Sequence, residues 1–188
     1  MAANKVCDRA FDDASAGHAL QRLAGTERFD ESTGTGEAGE SRTFSARNAV
    51  KHMHDEYRKR SACWVYRTGD DSGQPLLEIR FSASQSYPST SGKAAGGDKV
   101  SYSLGLYARV GRAGADLFFR CPTKAASKDA YIGDTKYVKA ELFSTASQLL
   151  GDSVDKDRMV ILNAVSRKVA QEAGCAAEAS LPARVPES

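Results

Sequence analysis

The spacing of apolar residues follows a helical repeat at both ends of the chain and a strand repeat in the middle. Near the start, apolar side chains recur three or four positions apart, which is the repeat of one face of an α-helix. This spacing predicts helices over residues 12–24 and 45–60. Their expected buried stripes are Ala16, Ala19, Leu20 and Leu23 in the first helix, and Ala46, Val50, Met53 and Tyr57 in the second.

The same repeat returns near the end of the chain and predicts a long helix over residues 155–173. Gly174 stands where a glycine commonly ends a helix, and Ser45 can cap the start of the second helix. The stripe of the long helix is Arg158, Ile161, Leu162, Val165 and Val169, with Arg158 at its edge.

Between these helices the apolar period falls to two, which is the repeat of a half-buried strand. The sequence GRAG at 111–114 predicts a hairpin between two strands, and the residues ERF at 27–29 favour a short extended piece. The predicted strands are 63–67, 76–84, 99–110, 115–121 and 137–143.

This order of elements predicts an α+β protein, with an antiparallel sheet of four to five strands and three helices packed mainly on one face. The 188 residues suit a single domain, 1–188. Within it we expect an N-terminal segment at 1–11, a flexible loop rich in serine and glycine at 84–98 and a C-terminal tail at 176–188. Residues 31–42 are polar and glycine-rich and predict another loop.

Composition narrows the classes of function. The chain has 26 lysines and arginines against 24 acidic residues, a balance that does not indicate nucleic-acid binding, which needs a concentrated basic face. No apolar run approaches the ~18–20 residues that cross a bilayer, and no signal peptide is visible. Glycine motifs for dinucleotides or phosphates are also absent from the sequence, so no cofactor is predicted.

Four cysteines, Cys7, Cys63, Cys121 and Cys175, are spread almost evenly along the chain. These wide spacings exclude a compact C-x-x-C zinc or redox site. An even number without a metal motif favours two disulfides and an oxidising compartment. We favour Cys63 with Cys121, because one opens the first core strand and the other closes the fourth, and hence Cys7 with Cys175. The pairing Cys7–Cys63 with Cys121–Cys175 stays open as the alternative.

Four segments resemble a group of small exported four-cysteine proteins of Streptomyces and related actinobacteria, whose function is uncharacterised. The segments are VCDRAFDDASAGHALQRLAGTERF, SACWVYR, LFFRCP and VSRKVAQEAGCAAEASLP. Many members of that group are lipoproteins or carry an N-terminal membrane anchor, so the resemblance implies an extracytoplasmic location. It transfers no active-site residues. The sequence ANKVC before Cys7 is not a lipobox, so we expect Cys7 to form a disulfide and any anchor to lie upstream of this chain.

The stretch GDDSGQPLL at 69–77 is similar to the GDSGGPL around the nucleophilic serine of trypsin-like proteases. Here Asp71 is an additional residue and Gln74 replaces the second glycine. No histidine follows Ser72, and the region before it is predicted to be helical, so neither common order of a catalytic triad fits. The stretch predicts a turn between two strands instead, and we predict no catalytic residues.

Other candidate groups also have structural explanations. His52 and His54 are two residues apart, which on a helix is a rotation of ~200°, so they cannot share a metal ion and no metal site is predicted. His18 is isolated on the first helix. A basic set is expected to form a solvated helix face: Arg47, Lys51, Arg58, Lys59 and Arg60.

Trp64, Tyr66, Tyr107 and Phe118 fall on the sheet face opposite the main apolar stripe. Aromatic residues exposed on one sheet face can mark a binding surface, whereas a covering helix would make them part of the core. We therefore interpret the protein as a secreted or cell-surface, non-enzymatic domain that binds a protein or small ligand at the cell envelope. The alternatives are a hydrolytic enzyme with a carboxylate site and an accessory subunit of an envelope complex.

Overall fold

The computed structural model describes residues 1–12, 14–32, 43–89 and 99–188. The expected loops therefore lie largely outside the described residues, at 33–42 and 90–98. The helices are α1 (Val6–Arg9), α2 (Ala14–Ala24), α3 (Ala46–His52), α4 (Val154–Glu172) and α5 (Ala176–Ala179), with 3₁₀ turns at Ala3–Lys5, Tyr57–Lys59 and Ala146–Gln148. The strands are β1 (Phe29–Glu31), β2 (Ala62–Arg67), β3 (Leu77–Ser84), β4 (Val100–Ser101), β5 (Tyr107–Gly111), β6 (Gly114–Thr123) and β7 (Thr135–Ser144).

The described strands form one antiparallel sheet in the order β1-β2-β3-β7-β6-β5-β4. This confirms the α+β class. The described helices number five rather than three, because α1 and α5 are single turns of four residues within the expected N-terminal segment and C-terminal tail. The sheet has seven strands rather than four or five. Two differences account for the count. The short extended piece predicted at 27–29 corresponds to β1, and the strand predicted over 99–110 is divided into β4 and β5.

Gly105 explains the division of that predicted strand. Its φ of +58° lies in the left-handed region, and a Cβ atom there would come within 2.5 Å of the carbonyl oxygen of Phe118. Only glycine fits both conditions without strain. The alternation of apolar residues on either side is genuine, but the chain reverses direction around this glycine, so that β4 pairs with β5 as an antiparallel neighbour.

The predicted helix over 45–60 is correct only in its first half. Ser45 caps α3 as expected, since its hydroxyl oxygen accepts a hydrogen bond from the Asn48 N–H at 3.1 Å. The helix ends at His52, because the carbonyl oxygen of Met53 accepts a hydrogen bond from Ala83 of β3 at 2.9 Å. Tyr57, expected in the buried stripe, therefore lies in a 3₁₀ turn and is 48% exposed.

The long C-terminal helix agrees closely with its prediction. α4 ends in a Schellman motif: Gly174 has a φ of +74°, and the N–H of Cys175 bonds the carbonyl oxygen of Ala170 at 2.9 Å. Arg158, expected at the edge of the stripe, is instead buried and donates from Nη1 to the carbonyl oxygen of Gly111 at 2.6 Å. Burial lowers the pKa of this guanidinium, against the opposing charge of Asp155.

The core lies between α4 and one face of the sheet, which we call the inner face. α4 packs across β5, β6 and β7, and α2 packs against α4. Each central strand turns every second residue toward these helices, and those side chains are almost completely buried. They include Cys63, Val65, Leu77, Ile79, Phe81, Val110, Leu117, Phe119, Cys121, Val138, Ala140 and Leu142.

The disulfides are Cys7–Cys63 and Cys121–Cys175, with Cα–Cα distances of 5.6 and 5.2 Å. The pairing that we favoured from the sequence is therefore wrong. β3 and β7 lie between β2 and β6, which separates Cys63 from Cys121 by at least three strand spacings, roughly 14 Å. That separation is too long for a disulfide. Each bridge instead joins a strand to a segment packed on the inner face.

Candidate functional site

Every second residue of the central strands points away from the helices, onto what we call the outer face. Strand register aligns these side chains in rows. One row runs Trp64, Glu78, Phe143; the next runs Arg80, Glu141, Asp116, Arg109; the third runs Ser82, Lys139, Phe118, Tyr107. Strand alternation places Tyr66 on this face beside Trp64, so all four aromatic residues singled out from the sequence lie on it.

Arg80 lies between two aromatic rings on this face. Its guanidinium carbon is 4.3 Å from the ring centre of Tyr57 and 5.3 Å from that of Trp64. Nη1 donates to the carbonyl oxygen of Tyr57 at 3.3 Å, and Nε donates to the carboxylate of Glu78. The residue is only 9% exposed. A cation over an aromatic face contributes ~0.5–2 kcal/mol, so these contacts hold the rings and the guanidinium in one arrangement.

Lys139, on the neighbouring strand β7, organises a second group. Its Nζ is 3.3 Å from Asp116 Oδ1, donates to Glu141 and lies 5.7 Å from the ring centre of Phe118. Tyr107 packs edge-on against that ring at 5.7 Å. Burial by itself would lower the pKa of Lys139, but the hydrogen bond to Glu141 and the charge of Asp116 raise it. The lysine therefore stays charged and offsets part of the negative charge of the two carboxylates.

Several aromatic side chains of the outer face and its margin remain accessible to solvent. Phe143 and Tyr87 are each 40% exposed, like the half-exposed Tyr57. Tyr87 packs edge-on against Tyr137, with 5.0 Å between ring centres. Phe118 differs from the others, because it is buried beneath its neighbours. It supports the surface rather than presenting a ring to solvent.

The structure does not bring the four predicted aromatic residues into one cluster. Trp64 is on β2, whereas Tyr107 and Phe118 are on β5 and β6, with β3 and β7 between them. Tyr66 lies toward the sheet edge, opposite Asp30 of β1. Sequence reasoning also missed residues that join these groups across the face, namely Tyr57, Arg80, Lys139 and Phe143. Tyr57 continued a helical period in the sequence, whereas Arg80, Lys139 and Phe143 followed a visible strand period. The two cations, as charged residues on a polar face, gave no sign of contact with aromatic rings.

Ser72 lies in the turn that connects β2 and β3, as predicted. Its N–H donates to Asp70 Oδ1 at 2.9 Å, and its hydroxyl oxygen accepts from the N–H of Gln74 at 3.2 Å. The serine is exposed. Hydrogen bonds from Ser72 lower the pKa of the Asp70 carboxyl. The hydroxyl therefore has a structural role within the turn.

The two histidines of the HMH sequence point to different partners. His52 Nδ1 is 2.7 Å from Asp55 Oδ2. His54 is buried, with Nδ1 at 3.0 and 3.1 Å from two carbonyl oxygens of residues 132–133 and Nε2 at 2.9 Å from Thr123 Oγ1. Within the described part of the chain, no three His, Cys, Asp or Glu residues are arranged to hold a metal ion.

The five basic residues expected on one helix face are dispersed, because α3 ends at His52 and Arg58, Lys59 and Arg60 follow it. Arg47 pairs with Glu172 of α4 at 3.1 Å, and Lys59 pairs with Glu56 at 3.0 Å. Arg60 Nε donates to the carbonyl oxygen of Asp55 at 2.9 Å. These cations are thus used in separate local contacts and do not form one continuous basic surface.

A second group of polar residues surrounds α1, which is a left-handed turn. Cys7, Asp8 and Arg9 have φ values of 50°, 58° and 60°, a conformation that costs non-glycine residues roughly 1–2 kcal/mol each. Glu31 Oε2 accepts the N–H of Cys7 at 2.9 Å, and Asp8 Oδ2 accepts the N–H of Ala46 at 3.0 Å. Both carboxylates therefore hold the turn in place.

Comparison of the chain with models of protein families, with curated proteins and with solved structures finds no match. Among the helices of the described ranges, none is long and apolar enough to cross a membrane.

Proposed function

We propose that the protein is a non-enzymatic binding module that docks a folded protein partner on the outer face of its sheet. The observation that carries the proposal is the contrast within this face: accessible aromatic rings stand beside an arginine that is nearly buried and lies against the rings of Tyr57 and Trp64. Tyr57 and Phe143 are about half-exposed, and Arg80 is nearly buried.

The composition of the face favours a protein partner. Tyrosine, tryptophan, phenylalanine and arginine are the residues most enriched at the centres of protein interfaces. The outer face carries all four types, including Trp64, Arg80 and Phe143. Contacts within the protein already restrict the side chains of Trp64 and Arg80. Binding of a partner would therefore cost little additional side-chain entropy at these two residues.

The shape of the face also favours a macromolecule over a small ligand. Small-molecule sites are concave and usually enclose most of the ligand. Two grooves of the described residues lie away from the aromatic part of this face, one beside residues 103–106 and the other beside α2. From β2 to β5 the face spans four strand spacings, roughly 19 Å, which suits a broad contact.

Charges on the face are arranged in pairs of opposite sign. Arg80 pairs with Glu78, Lys139 pairs with Asp116 and Glu141, and Arg109 lies opposite Asp116 in the strand register, so three cations face three carboxylates. A face neutralised in this way offers little attraction to an anionic polymer. It suits a partner surface that is itself aromatic at the centre and mixed in charge at the rim.

The two disulfides are typical of proteins outside the cytoplasm. On this basis we propose that the partner is met at the cell surface or in the extracellular space, in agreement with the resemblance to exported actinobacterial proteins. Mass measurement of the protein isolated from its native producer, without reduction, should find no free thiols. Four free thiols would contradict this location.

The carboxylates of Glu31 and Asp8 at the left-handed turn bear on the hydrolase alternative. Burial raises the pKa of Glu31, despite backbone hydrogen bonds that lower it, and the charge of Asp8 adds to the increase. A raised carboxyl pKa can accompany acid catalysis. Here, however, both carboxylates accept backbone N–H groups, so the binding module remains our proposal.

Site-specific photocrosslinking would test the docking surface. The photoreactive residue p-benzoylphenylalanine would replace Phe143 in the native producer, and a matched protein would carry it at Leu150, which is 52% exposed but lies away from the sheet face. We expect one discrete protein adduct from position 143 and none of that mass from position 150.

The partner identified in that adduct would then be purified and titrated against variants. Phe143→Ala should weaken binding roughly tenfold or more, as expected for an aromatic residue at an interface centre, whereas Leu150→Ala should not change it. Equal crosslinking from both positions, no protein adduct, or unchanged affinity of Phe143→Ala would refute the docking surface. An adduct with several envelope proteins in a fixed ratio would identify the module as an accessory subunit.

A further inference from the structure

In the described structure, one side of β6 lacks a partner strand over residues 119–123, and we call this unoccupied position beside β6 the lane. β5 pairs with β6 only as far as the Tyr107–Phe118 pair, whereas β6 continues to Thr123 and pairs with β7 on its other side. The N–H of Leu106 donates to the carbonyl oxygen of Phe118 at 2.8 Å, and the residues before it turn toward β4. Beyond Phe118, β6 therefore has no strand neighbour on its β5 side among the residues that the structure describes.

The main chain of Arg120 faces this lane. In an antiparallel strand, the N–H and C=O groups of every second residue point toward the same neighbour. Because the carbonyl oxygen of Phe118 points toward the β5 side, the N–H and C=O of Arg120 point that way as well. Neither group bonds a described residue. Pro122, two residues further on, has no N–H to donate, so the free edge offers the N–H and C=O of Arg120 to another strand.

A groove of about 350 Å³ lies in this position. Residues 103–106 line one part of it, residues 178–180 and Pro182 line another, and Arg120 contributes from β6. The volume is at the lower end of the roughly 300–1,000 Å³ found for ligand sites. A groove beside a strand edge with free hydrogen-bonding groups suits a short extended peptide segment.

Two unpaired charges border the groove. Arg120 and Glu178 are exposed, and neither forms an ion pair with any residue that the structure describes. Arg120 belongs to the outer face, whereas Glu178 is on α5, which follows the Cys121–Cys175 bridge and contacts β6. Neighbouring side chains of a strand point to opposite faces. A strand in the lane would thus meet a cation on one face and an anion on the other.

We propose that this lane binds an extended peptide segment of a partner protein as an added strand on β6. The segment carries an acidic residue next to a basic residue, so that its carboxylate meets Arg120 and its cation meets Glu178. The main-chain hydrogen bonds supply affinity, and the adjacent opposite charges supply specificity. This site is separate from the docking of a folded partner on the aromatic part of the outer face.

The test uses the blocked peptide Ac-TVEKVT-NH2 as the probe and the ¹⁵N-labelled full chain as the receptor. Titration should shift the amide signals of Leu106, Arg120 and Ser180 in a saturable way, and should slow hydrogen exchange of the Arg120 amide by roughly tenfold. The same peptide with methylated main-chain nitrogens cannot pair with a strand edge, so it should produce neither effect.

Variants of the two charges provide the second arm. Arg120→Glu and Glu178→Lys should each weaken binding of the probe by roughly tenfold, the effect of losing one charge pair of about 1.4 kcal/mol. Arg112→Glu, an exposed arginine in the turn between β5 and β6, is the matched control and should bind the probe normally. Thermal unfolding of all three variants checks that they remain folded.

The proposal is overturned if the probe causes no shifts, if the methylated peptide binds equally well, or if both charge variants bind like the control. Shifts centred on Trp64 and Phe143 instead of the lane would also overturn it, since they would assign the peptide to the aromatic surface. Phe143→Ala should leave probe binding unchanged, so failure of the docking surface and failure of the peptide lane give different results.

Discussion

The two faces of the sheet are built from the same strands but use opposite chemistry. On the inner face, residues such as Ile79, Leu117 and Phe119 are completely buried against the helices. On the outer face, the residues between them are charged or aromatic, and Arg80 and Lys139 are held by rings and carboxylates.

This difference separates stability from recognition. The inner face gains its energy from the removal of apolar area from water, at about 25 cal/mol per Å². The outer face contains paired charges and half-exposed rings, which contribute less to folding and remain available to another molecule. Substitutions on the inner face should therefore affect mainly unfolding, and those on the outer face mainly binding.

Two phenylalanines provide the most direct test of this comparison, with the largest expected effect. Phe119→Ala removes a fully buried ring from the inner face and should lower the free energy of unfolding by about 3–5 kcal/mol. Phe143→Ala removes a ring that is 40% exposed on the outer face and should cost less than about 1 kcal/mol. Urea unfolding followed by circular dichroism measures both. Equal losses would contradict the division between faces.

The disulfides give the second prediction. They span nearly equal lengths of chain, 56 and 54 residues, so the chain-entropy model assigns each about 4 kcal/mol. Removing Cys7–Cys63 also allows the left-handed turn of α1 to relax. The double variant Cys7→Ala/Cys63→Ala should therefore lose less stability than Cys121→Ala/Cys175→Ala. Denaturant titration under identical conditions checks the order, and the reverse order would show that the turn is not strained.

The third prediction concerns the arginine between two rings. Arg80→Met removes the contacts with Tyr57 and Trp64 and leaves Glu78 without its cation, so it should destabilise the fold by about 1–3 kcal/mol. A double-mutant cycle with Trp64→Leu should show a coupling of about 0.5–2 kcal/mol. Arg112→Met, at an exposed turn, is the control and should have almost no effect. Zero coupling would mean that the rings do not hold the guanidinium.

The smallest expected effect is the pH dependence from Glu31. Burial raises the pKa of this carboxyl above its ordinary value of 4.5, so the folded state retains the proton at pH values where the unfolded state has lost it. Its contribution to stability is fully present below the unfolded pKa and is lost as pH rises through the folded pKa. Glu31→Gln keeps an acceptor for the N–H of Cys7 and cannot ionise.

Unfolding free energies of the two proteins should therefore converge in acid, and the Gln variant should gain relative to the native protein as pH rises toward neutrality. Measurements in urea at a series of pH values follow this difference directly. Parallel pH profiles for the two proteins would show that the carboxyl is not perturbed by folding.

Elements with strong local signals could be predicted from the sequence. The helical stripe of α4 and the glycine at its end are short-range features, and both are found in the structure at nearly the predicted positions. The alternation in β3, β6 and β7 also placed the apolar residues on one face correctly. The four aromatic residues of the outer face followed from the same alternation, but the residues joining them did not. Tyr57 continued a helical period, and only its tertiary contact with Arg80 shows where it lies.

The sequence by itself thus determined the periodicity of the elements, the mixed fold class and the presence of cysteines able to form two bridges. Tertiary structure alone decided which elements are neighbours. The insertion of β7 between β3 and β6 separates Cys63 from Cys121, and the hydrogen bond from Ala83 to Met53 accompanies the early end of α3. The physical reason is range: helix and strand periods depend on residues a few positions apart, whereas strand order and the outer-face contacts join residues distant in the chain.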